Sequence, residues 1–184
     1  MPALKDDRAA MAAHQAESLD PRAILEGIRA AGVSHVVTVP DTHQKTLLDL
    51  LAASAVPELV TVCTEDEAMG VNLGLFLGGK RPMLLIQNSG FYAAMNTVRG
   101  LSLDVRVPAC LLIGEYSRDP AIEPAAHASR LVHLLEPTLR TWRIPYHRLD
   151  HPGDLRAIPE AMAQAWRERG PVALLVGATT AEIA

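Results

Sequence analysis

Short apolar runs rich in β-branched residues alternate with longer amphipathic segments along most of the chain. The runs have the length of strands but lack a strict alternation of apolar and polar positions, so both of their faces are expected to be buried. Six such runs are found, at 35–40, 59–63, 83–87, 109–114, 144–149 and 172–177. Because helical patterns separate them, we predict an α/β fold of three layers, with a roughly six-stranded, mainly parallel sheet between two layers of helices.

The first clear helix start is Asp20-Pro21, an N-cap residue followed by proline at the first helical position. The residues before it are polar and rich in alanine, which predicts a loosely ordered or helical leader over 1–19. One α/β domain is expected over 20–184, because 184 residues fit a single domain of ordinary size.

Composition narrows the possible partners. Hydrophobic residues make up 49% and aromatic residues only 4%, so the core is expected to be aliphatic. A formal net charge of -4 does not suggest the basic face that nucleic-acid binding needs. The longest nearly uncharged stretch, 82–98, contains several polar residues and is shorter than the roughly 20 apolar residues that span a bilayer, so no transmembrane helix is predicted.

Cysteine and histidine usage points to a cytoplasmic protein without a metal site of its own. Cys63 and Cys110 lie in apolar, strand-like runs, where a buried thiol is the default expectation. No disulfide framework or N-terminal signal pattern is seen, which predicts a reducing cytoplasm. The seven histidines lack metal-ligand spacing, and glycine-rich phosphate motifs are absent.

The residues that follow the predicted strands are the candidates for function, because ligands of open α/β sheets bind beyond the carboxyl ends of the strands. Thr64 and Glu67 match a capping box, which gives Glu67 a structural role but leaves Glu65 without one. Asp41 follows Pro40 and is either a helix N-cap or a polar group at the edge of the sheet.

Two further features leave alternatives open. The helix after Glu65 carries Gly70, Gly74 and Gly78 on one face, although each interior glycine costs roughly 1 kcal/mol relative to alanine. Tight packing on the sheet, a helix of another subunit or a flat ligand would each explain that face. The segment 87–90, Gln-Asn-Ser-Gly, is either only a turn or a polar lining of a site.

Three segments, VPDTHQ, TEDEAMGVNLGLFLGGKRP and LLIQNSG, occur in an order and with gaps that resemble the pyrimidine-binding domain of thiamine-diphosphate-dependent decarboxylases. The resemblance covers about residues 20–184 and is greatest to the branch that acts on sulfopyruvate and phosphonopyruvate. It implies that Glu65, nine residues before Gly74, hydrogen-bonds the aminopyrimidine ring nitrogen of thiamine diphosphate and promotes ylid formation.

The same resemblance implies further site residues. Pro40 and Asp41 would belong to a loop that approaches cofactor and substrate, and Gln87 and Asn88 would line the same cavity. We count Glu65, Asp41 and His127 as the catalytic candidates.

Substrate-side candidates are His43, Phe91 and Tyr92. The two aromatic residues stand where relatives have smaller ones, so we expect them at the cavity mouth and expect a substrate bulkier or less anionic than sulfopyruvate.

The diphosphate-binding half of such a site is not recognised in this sequence. Relatives hold the diphosphate through Mg²⁺ with a GDG motif, whereas Gly153 and Asp154 are followed here by Leu155. The resemblance therefore implies the α subunit of a two-subunit 2-oxoacid decarboxylase, a carbon–carbon lyase whose β subunit holds Mg²⁺ and the diphosphate in a hetero-oligomer. The alternatives are a non-catalytic regulatory or orphan module of the same fold and, more weakly, a flavodoxin-like nucleotide binder.

Overall fold

A computed structural model describes residues 16–183 and contains the expected sheet. Within that range six strands, all parallel, lie in the order β2-β1-β3-β4-β6-β5. Their bounds are β1 (His35–Thr38), β2 (Glu58–Thr61), β3 (Pro82–Gln87), β4 (Ala109–Gly114), β5 (Tyr146–Leu149) and β6 (Pro171–Val176). The predicted fold class is confirmed, and each predicted strand overlaps an observed one.

Helices cover both faces of this sheet. One face carries α1 (Pro21–Ala30), α2 (Lys45–Ala52) and α8 (Ala157–Glu168). The other face carries α3 (Glu65–Leu77), α4 (Asn88–Ala93), a π-helical segment (Val98–Asp104) and α7 (Leu135–Thr141). The short helices α5 (Met95–Thr97) and α6 (Arg130–His133) complete the connections on either side of β4.

The local signals at the start of α1 act as predicted. Asp20 accepts a hydrogen bond of 2.8 Å from the Arg22 backbone N–H, and Pro21 occupies the first turn. The predicted leader over 1–19 falls mostly outside the described residues. Its last four residues are described, and there the Glu17 N–H donates to the Asp150 carbonyl over 2.9 Å, so this stretch runs along the domain.

The two cysteines have different environments. Cys110 lies fully buried in β4, where burial raises the pKa of its thiol to about 12. The expectation of a buried Cys63 is wrong, because β2 ends at Thr61 and Cys63 lies exposed in the turn before α3.

The glycine face of α3 points away from the sheet. Gly70 and Gly74 are exposed, and a Cβ added to either would meet no atom of residues 16–183 within 4 Å. The alternative of tight packing on the sheet is therefore excluded for these two glycines. Among residues 16–183, no helix is long and apolar enough to cross a membrane.

Candidate functional site

The order of the strands creates a crevice between the carboxyl ends of β1 and β3. The chain leaves β1 toward β2 on one side and leaves β3 toward β4 on the other, so the two connections diverge. Such a switch point is where open α/β sheets bind ligands. Asp41 follows β1 and Gln87 ends β3, so two of the predicted site residues lie at this crevice.

Glu65 is the first residue of α3, and its side chain lies against the backbone of α4. The Thr64 hydroxyl accepts from the Glu67 N–H over 3.2 Å, and the Glu67 carboxylate accepts from the Cys63 N–H over 2.8 Å. These contacts fix the first turn without using Glu65. A Cβ on Gly90 would lie 2.6 Å from the Glu65 Cγ and closer still to its carboxylate.

The Glu65 carboxylate is half-buried rather than fully shielded in the single chain. No hydrogen bond or ion pair engages it among residues 16–183. An acid in the first turn of a helix is favoured by the positive end of the helix dipole. The arrangement therefore offers one carboxylate, fixed by packing alone, to whatever enters beside α4.

Asp41 is the N-cap of a short 3₁₀ turn, Thr42–Gln44, which resolves one alternative left open by the sequence. Its carboxylate accepts from the His43 N–H over 2.9 Å and from the Gln44 side-chain amide over 3.2 Å. Asp41 is only 2% exposed, and its second oxygen lies directly against Gly114. Pro40, just before it, is exposed at the crevice.

His43 holds the C-terminal segment over the edge of the sheet. Its Nε2 lies 3.0 Å from the Val176 carbonyl, and its own carbonyl accepts from the Thr180 N–H over 3.1 Å. Burial lowers the pKa of His43 below its ordinary value, although the neighbouring Asp41 carboxylate opposes this. His43 also borders a cavity of about 260 Å³ whose other lining residues are Thr42, Tyr116, Ser117, Arg118, Pro120 and Thr179.

The residues after β3 divide into one half-exposed and one buried side chain. Gln87 is half-buried and donates to the Ser89 hydroxyl over 2.7 Å. Asn88 is fully buried; its amide donates to the carbonyls of Tyr116 (3.1 Å) and Leu131 (3.2 Å), and its oxygen accepts from the Ser89 N–H (2.9 Å). The expectation that Asn88 lines the cavity is wrong, because this side chain instead ties α4 to two neighbouring segments.

The two aromatic residues of α4 do not share one environment. Phe91 is fully buried in the core, so the expectation that it stands at a cavity mouth is wrong. Tyr92 is half-buried, and its hydroxyl donates to the Leu131 carbonyl over 3.4 Å. Burial raises the pKa of this phenol. It borders an open, apolar cavity of about 360 Å³ formed with Ser129, Arg130, Leu131 and Leu134.

His127 organises its own loop. Its two ring nitrogens lie 2.9 Å from the Asp119 N–H and 3.1 Å from the Ser129 N–H. A neutral imidazole has one unprotonated nitrogen, so only one of these groups donates to it at a time. The described contacts of the ring are thus with the connection between β4 and α6.

Sequence reasoning missed a buried charge network at the ends of β4 and β5. Glu115 accepts from Arg118 and Arg148, each over 2.7 Å, and Asp150 accepts from Arg118 over 2.8 Å. The side chains of Glu115 and Arg118 are 0% exposed, and burial raises the pKa of Glu115 to about 7. The one available signal was that GEYSRDP follows a strand, which does not identify Arg148 as the partner.

No family model matches the chain. Comparison with single proteins of known sequence, however, finds several related decarboxylases. It is 29% identical over 157 residues to sulfopyruvate decarboxylase subunit alpha of Methanococcus maripaludis, covering 85% of this chain and 93% of that protein. The same subunit of Methanothermobacter thermautotrophicus is 29% identical, over 74% of this chain and 86% of that protein. Phosphonopyruvate decarboxylase of Streptomyces hygroscopicus is 30% identical, over 48% of this chain and 22% of that protein.

Solved structures agree on the fold. Benzoylformate decarboxylase from Polynucleobacter necessarius matches 91% of this chain and 32% of its own, with a TM-score of 0.65 and 17% identity. A 2-oxoglutarate:ferredoxin oxidoreductase from Magnetococcus marinus matches 88% of this chain and 31% of its own, with a TM-score of 0.65 and 15% identity. The chain thus spans about a third of each of these larger chains. The predicted resemblance to sulfopyruvate decarboxylase α subunits is therefore confirmed, over most of both sequences.

Proposed function

We propose that the chain is the pyrimidine-binding α subunit of a two-subunit 2-oxoacid decarboxylase that uses thiamine diphosphate and acts on a substrate similar to sulfopyruvate or phosphonopyruvate. The observation that carries the proposal is the Glu65 carboxylate, which begins α3 beside the switch point and has no partner among residues 16–183. Similarity along 93% of a sulfopyruvate decarboxylase α subunit supports it.

The residues present fit the pyrimidine end of the cofactor. Glu65 would hold a proton at the ring nitrogen, and the half-exposed Gln87 offers a neutral polar neighbour at the end of β3. When bound, thiamine diphosphate supplies a nucleophilic carbon and an electron sink for the loss of carbon dioxide. Glu65 serves that chemistry by favouring one tautomer of the aminopyrimidine, because it shares a proton with the nitrogen far from the reacting carbon.

The diphosphate end is assigned to the partner. Among the described residues, no group of three or more His, Cys, Asp or Glu side chains is placed to hold a metal ion. In this proposal the β subunit therefore holds Mg²⁺ and the diphosphate. Closure of the two subunits would exclude water from Glu65 and so strengthen its hydrogen bond to the cofactor.

The exposed glycine face of α3 is the proposed docking surface of the β subunit. As far as residues 16–183 are concerned, Gly70 and Gly74 leave open space above the helix, which lets another backbone approach closely. Leu77, on the same helix, is 73% exposed and would be covered in the complex. We place this hetero-oligomer in the cytoplasm.

Asp41 and His127 keep a predicted role in orienting the substrate or moving protons. Asp41 already accepts two hydrogen bonds within the chain, and the His127 ring accepts one from a backbone N–H of its own loop. While these hydrogen bonds are in place, both residues would act by shaping the loops beside the substrate. Either side chain could handle a proton of the substrate only after its hydrogen bonds within the chain break.

The test compares Glu65→Gln with a control in the same helical turn. The chain is combined with the β subunit encoded beside it, thiamine diphosphate and Mg²⁺, and carbon dioxide release from several 2-oxoacids is followed. Because glutamine cannot share a proton in the same way, Glu65→Gln is expected to lower kcat by about 100-fold or more, within the usual range for proton-transfer groups. Glu67→Gln should keep the rate, since the amide oxygen of glutamine can still accept from the Cys63 N–H.

Two outcomes would overturn the proposal. A Glu65→Gln complex with the wild-type rate would remove the assigned role of Glu65. A wild-type complex that releases no carbon dioxide from any 2-oxoacid would favour the non-catalytic module instead.

A further inference from the structure

Each of three carboxylates at the carboxyl edge of the sheet lies over a glycine. Glu65 lies on Gly90, Asp41 on Gly114, and Asp150, together with Arg118, on Gly177. Asp41 and Asp150 are also held by hydrogen bonds within the chain, from Gln44 and Arg118 among others. Glu65 differs from them, because packing on its glycine is the contact that defines its position.

We propose that Gly90 is a positioning residue that sets where the Glu65 carboxylate lies, an inference that rests on the proposed function of Glu65. Gly90 belongs to the helix α4 and is buried, and its φ is not in the left-handed region that favours glycine. Alanine would be the better residue for that backbone, since glycine inside a helix costs roughly a factor of five in stability. The absence of a side chain at position 90 is thus needed for space, not for a turn.

The Glu65 side chain, rather than α4, has to move when that space is filled. Asn88 anchors the start of α4 through three hydrogen bonds, and Phe91 fixes its other side in the core. Glu65 is a flexible side chain at the half-exposed edge of the domain. A methyl group at position 90 would therefore displace the carboxylate while the fold is kept.

Displacement of the carboxylate has a specific consequence for the reaction. A misplacement of about 1 Å of a group that acts on a reacting system can cost 100-fold in rate. Glu65 faces the cofactor and not the 2-oxoacid in the proposed site, so the loss is expected in kcat rather than in KM.

The experiment compares Gly90→Ala with Gly100→Ala in the assembled complex with the β subunit, thiamine diphosphate and Mg²⁺. Within the described part of the chain a Cβ on Gly100 would meet nothing within 4 Å, so this variant is the matched control and should keep the wild-type rate. Gly90→Ala is expected to lower kcat at least tenfold with an unchanged KM for the 2-oxoacid. In a Glu65→Gln background the same change should have no further effect, because the group it displaces is already inactive.

A Gly90→Ala complex that keeps the wild-type kcat, or an effect that multiplies with that of Glu65→Gln, would overturn the inference. Melting temperatures of the full chain test the contact separately from the proposed function. Gly90→Ala should raise the melting temperature less when residue 65 is glutamate than in a Glu65→Ala chain, because alanine favours the helix in both chains but has to displace a side chain only in the first. Equal shifts in both backgrounds would overturn the contact, whereas an inactive wild-type complex with unequal shifts would overturn only the proposed function.

Discussion

The two halves of the sheet's carboxyl edge are built differently. We define the closed half as the ends of β4, β5 and β6 with the charge network of Glu115, Arg118, Arg148 and Asp150. The open half consists of β2, the end of β3 and the helix α3. In the closed half the charged side chains are paired with one another, whereas in the open half Glu65 has no partner among residues 16–183.

The closed half is also covered by the chain itself. The Ala181 N–H donates to the Leu19 carbonyl over 2.9 Å, and the Thr180 N–H donates to His43, so the segments 16–19 and 177–182 both cross this edge. All six residues of β4 and all six of β6 are buried. No segment of residues 16–183 covers the open half in a comparable way, since β2 is exposed or half-buried and α3 buries only Ala68, Met69 and Asn72.

This difference between the closed and the open half assigns stability mainly to the first and function mainly to the second. A buried charge that is paired inside the chain contributes to one folded arrangement, and removing its partner is costly. A half-exposed carboxylate without a partner adds little to folding and remains available to a ligand or another subunit. Changes in the closed half should therefore alter unfolding, and changes in the open half should alter activity or association.

Arg118→Met gives the largest expected effect on stability. It leaves the buried carboxylates of Glu115 and Asp150 without this partner, which should lower the free energy of unfolding by about 3–5 kcal/mol. Arg99→Met is the control, because Arg99 pairs with Asp104 at the surface and such pairs contribute about 1 kcal/mol or less. Urea unfolding of the isolated chain measures both, and a similar small loss in each would contradict the distinction between the two halves.

Glu115→Gln should have an effect that depends on pH. The pKa of Glu115 is raised to about 7 in the folded chain from an ordinary value of 4.5, so between these values the folded state keeps a proton that the unfolded state releases. The contribution of Glu115 to stability is therefore fully present below pH 4.5 and is lost as the pH rises through 7.

Glutamine does not titrate, so the Glu115→Gln chain should gain stability relative to wild type by on the order of 2–3 kcal/mol between pH 4 and pH 8. Unfolding free energies of both chains across that range measure the gain. A difference that stays constant with pH would show that Glu115 does not titrate in this way.

Gly74→Leu should have the smallest effect on stability of the three variants. It should nevertheless weaken association with the β subunit, and it therefore separates stability from association. Leucine is the better helix former, so the free energy of unfolding of the isolated chain should rise by roughly 0.8 kcal/mol. The same side chain fills the open space above α3 and should weaken binding of the β subunit at least tenfold, as measured by titration calorimetry. Glu160→Leu, on the exposed side of α8, should leave that affinity unchanged; equal affinities of Gly74→Leu and wild type would argue against docking on α3.

The sequence is most informative about contacts between residues that are only a few positions apart along the chain. The Asp20 cap, the Thr64 half of the predicted capping box and all six strands follow from local patterns, because period, caps and turns act over short distances. The other half differs, since the Glu67 carboxylate accepts from the Cys63 N–H and not from the N–H of the cap residue. The capping pattern leaves Glu65 without a structural role, but its predicted role at the cofactor comes from the family resemblance alone, since an acid in the first turn also fits an ordinary helix start.

The errors arose where long-range packing decides the environment. Asn88 reaches carbonyls 28 and 43 residues away, and nothing near it in the sequence indicates those partners. Glu115 meets Arg148 across 33 residues, which is why the charge network was missed. The change in the family pattern at Phe91 predicts a position at the mouth of the cavity, but the side chain is fully buried. An aromatic residue in a short helix fits the core as readily as a cavity mouth.

The limited burial of α3 and β2 has a consequence for the motions of the domain. Local opening costs least where few apolar side chains are buried, and opening of this part breaks none of the charged contacts around Glu115. We therefore expect fluctuations mainly in the half that carries Glu65, and we expect the strands beside the charge network to stay ordered. A partner that closes over α3 would then quench those fluctuations without rebuilding the rest of the fold.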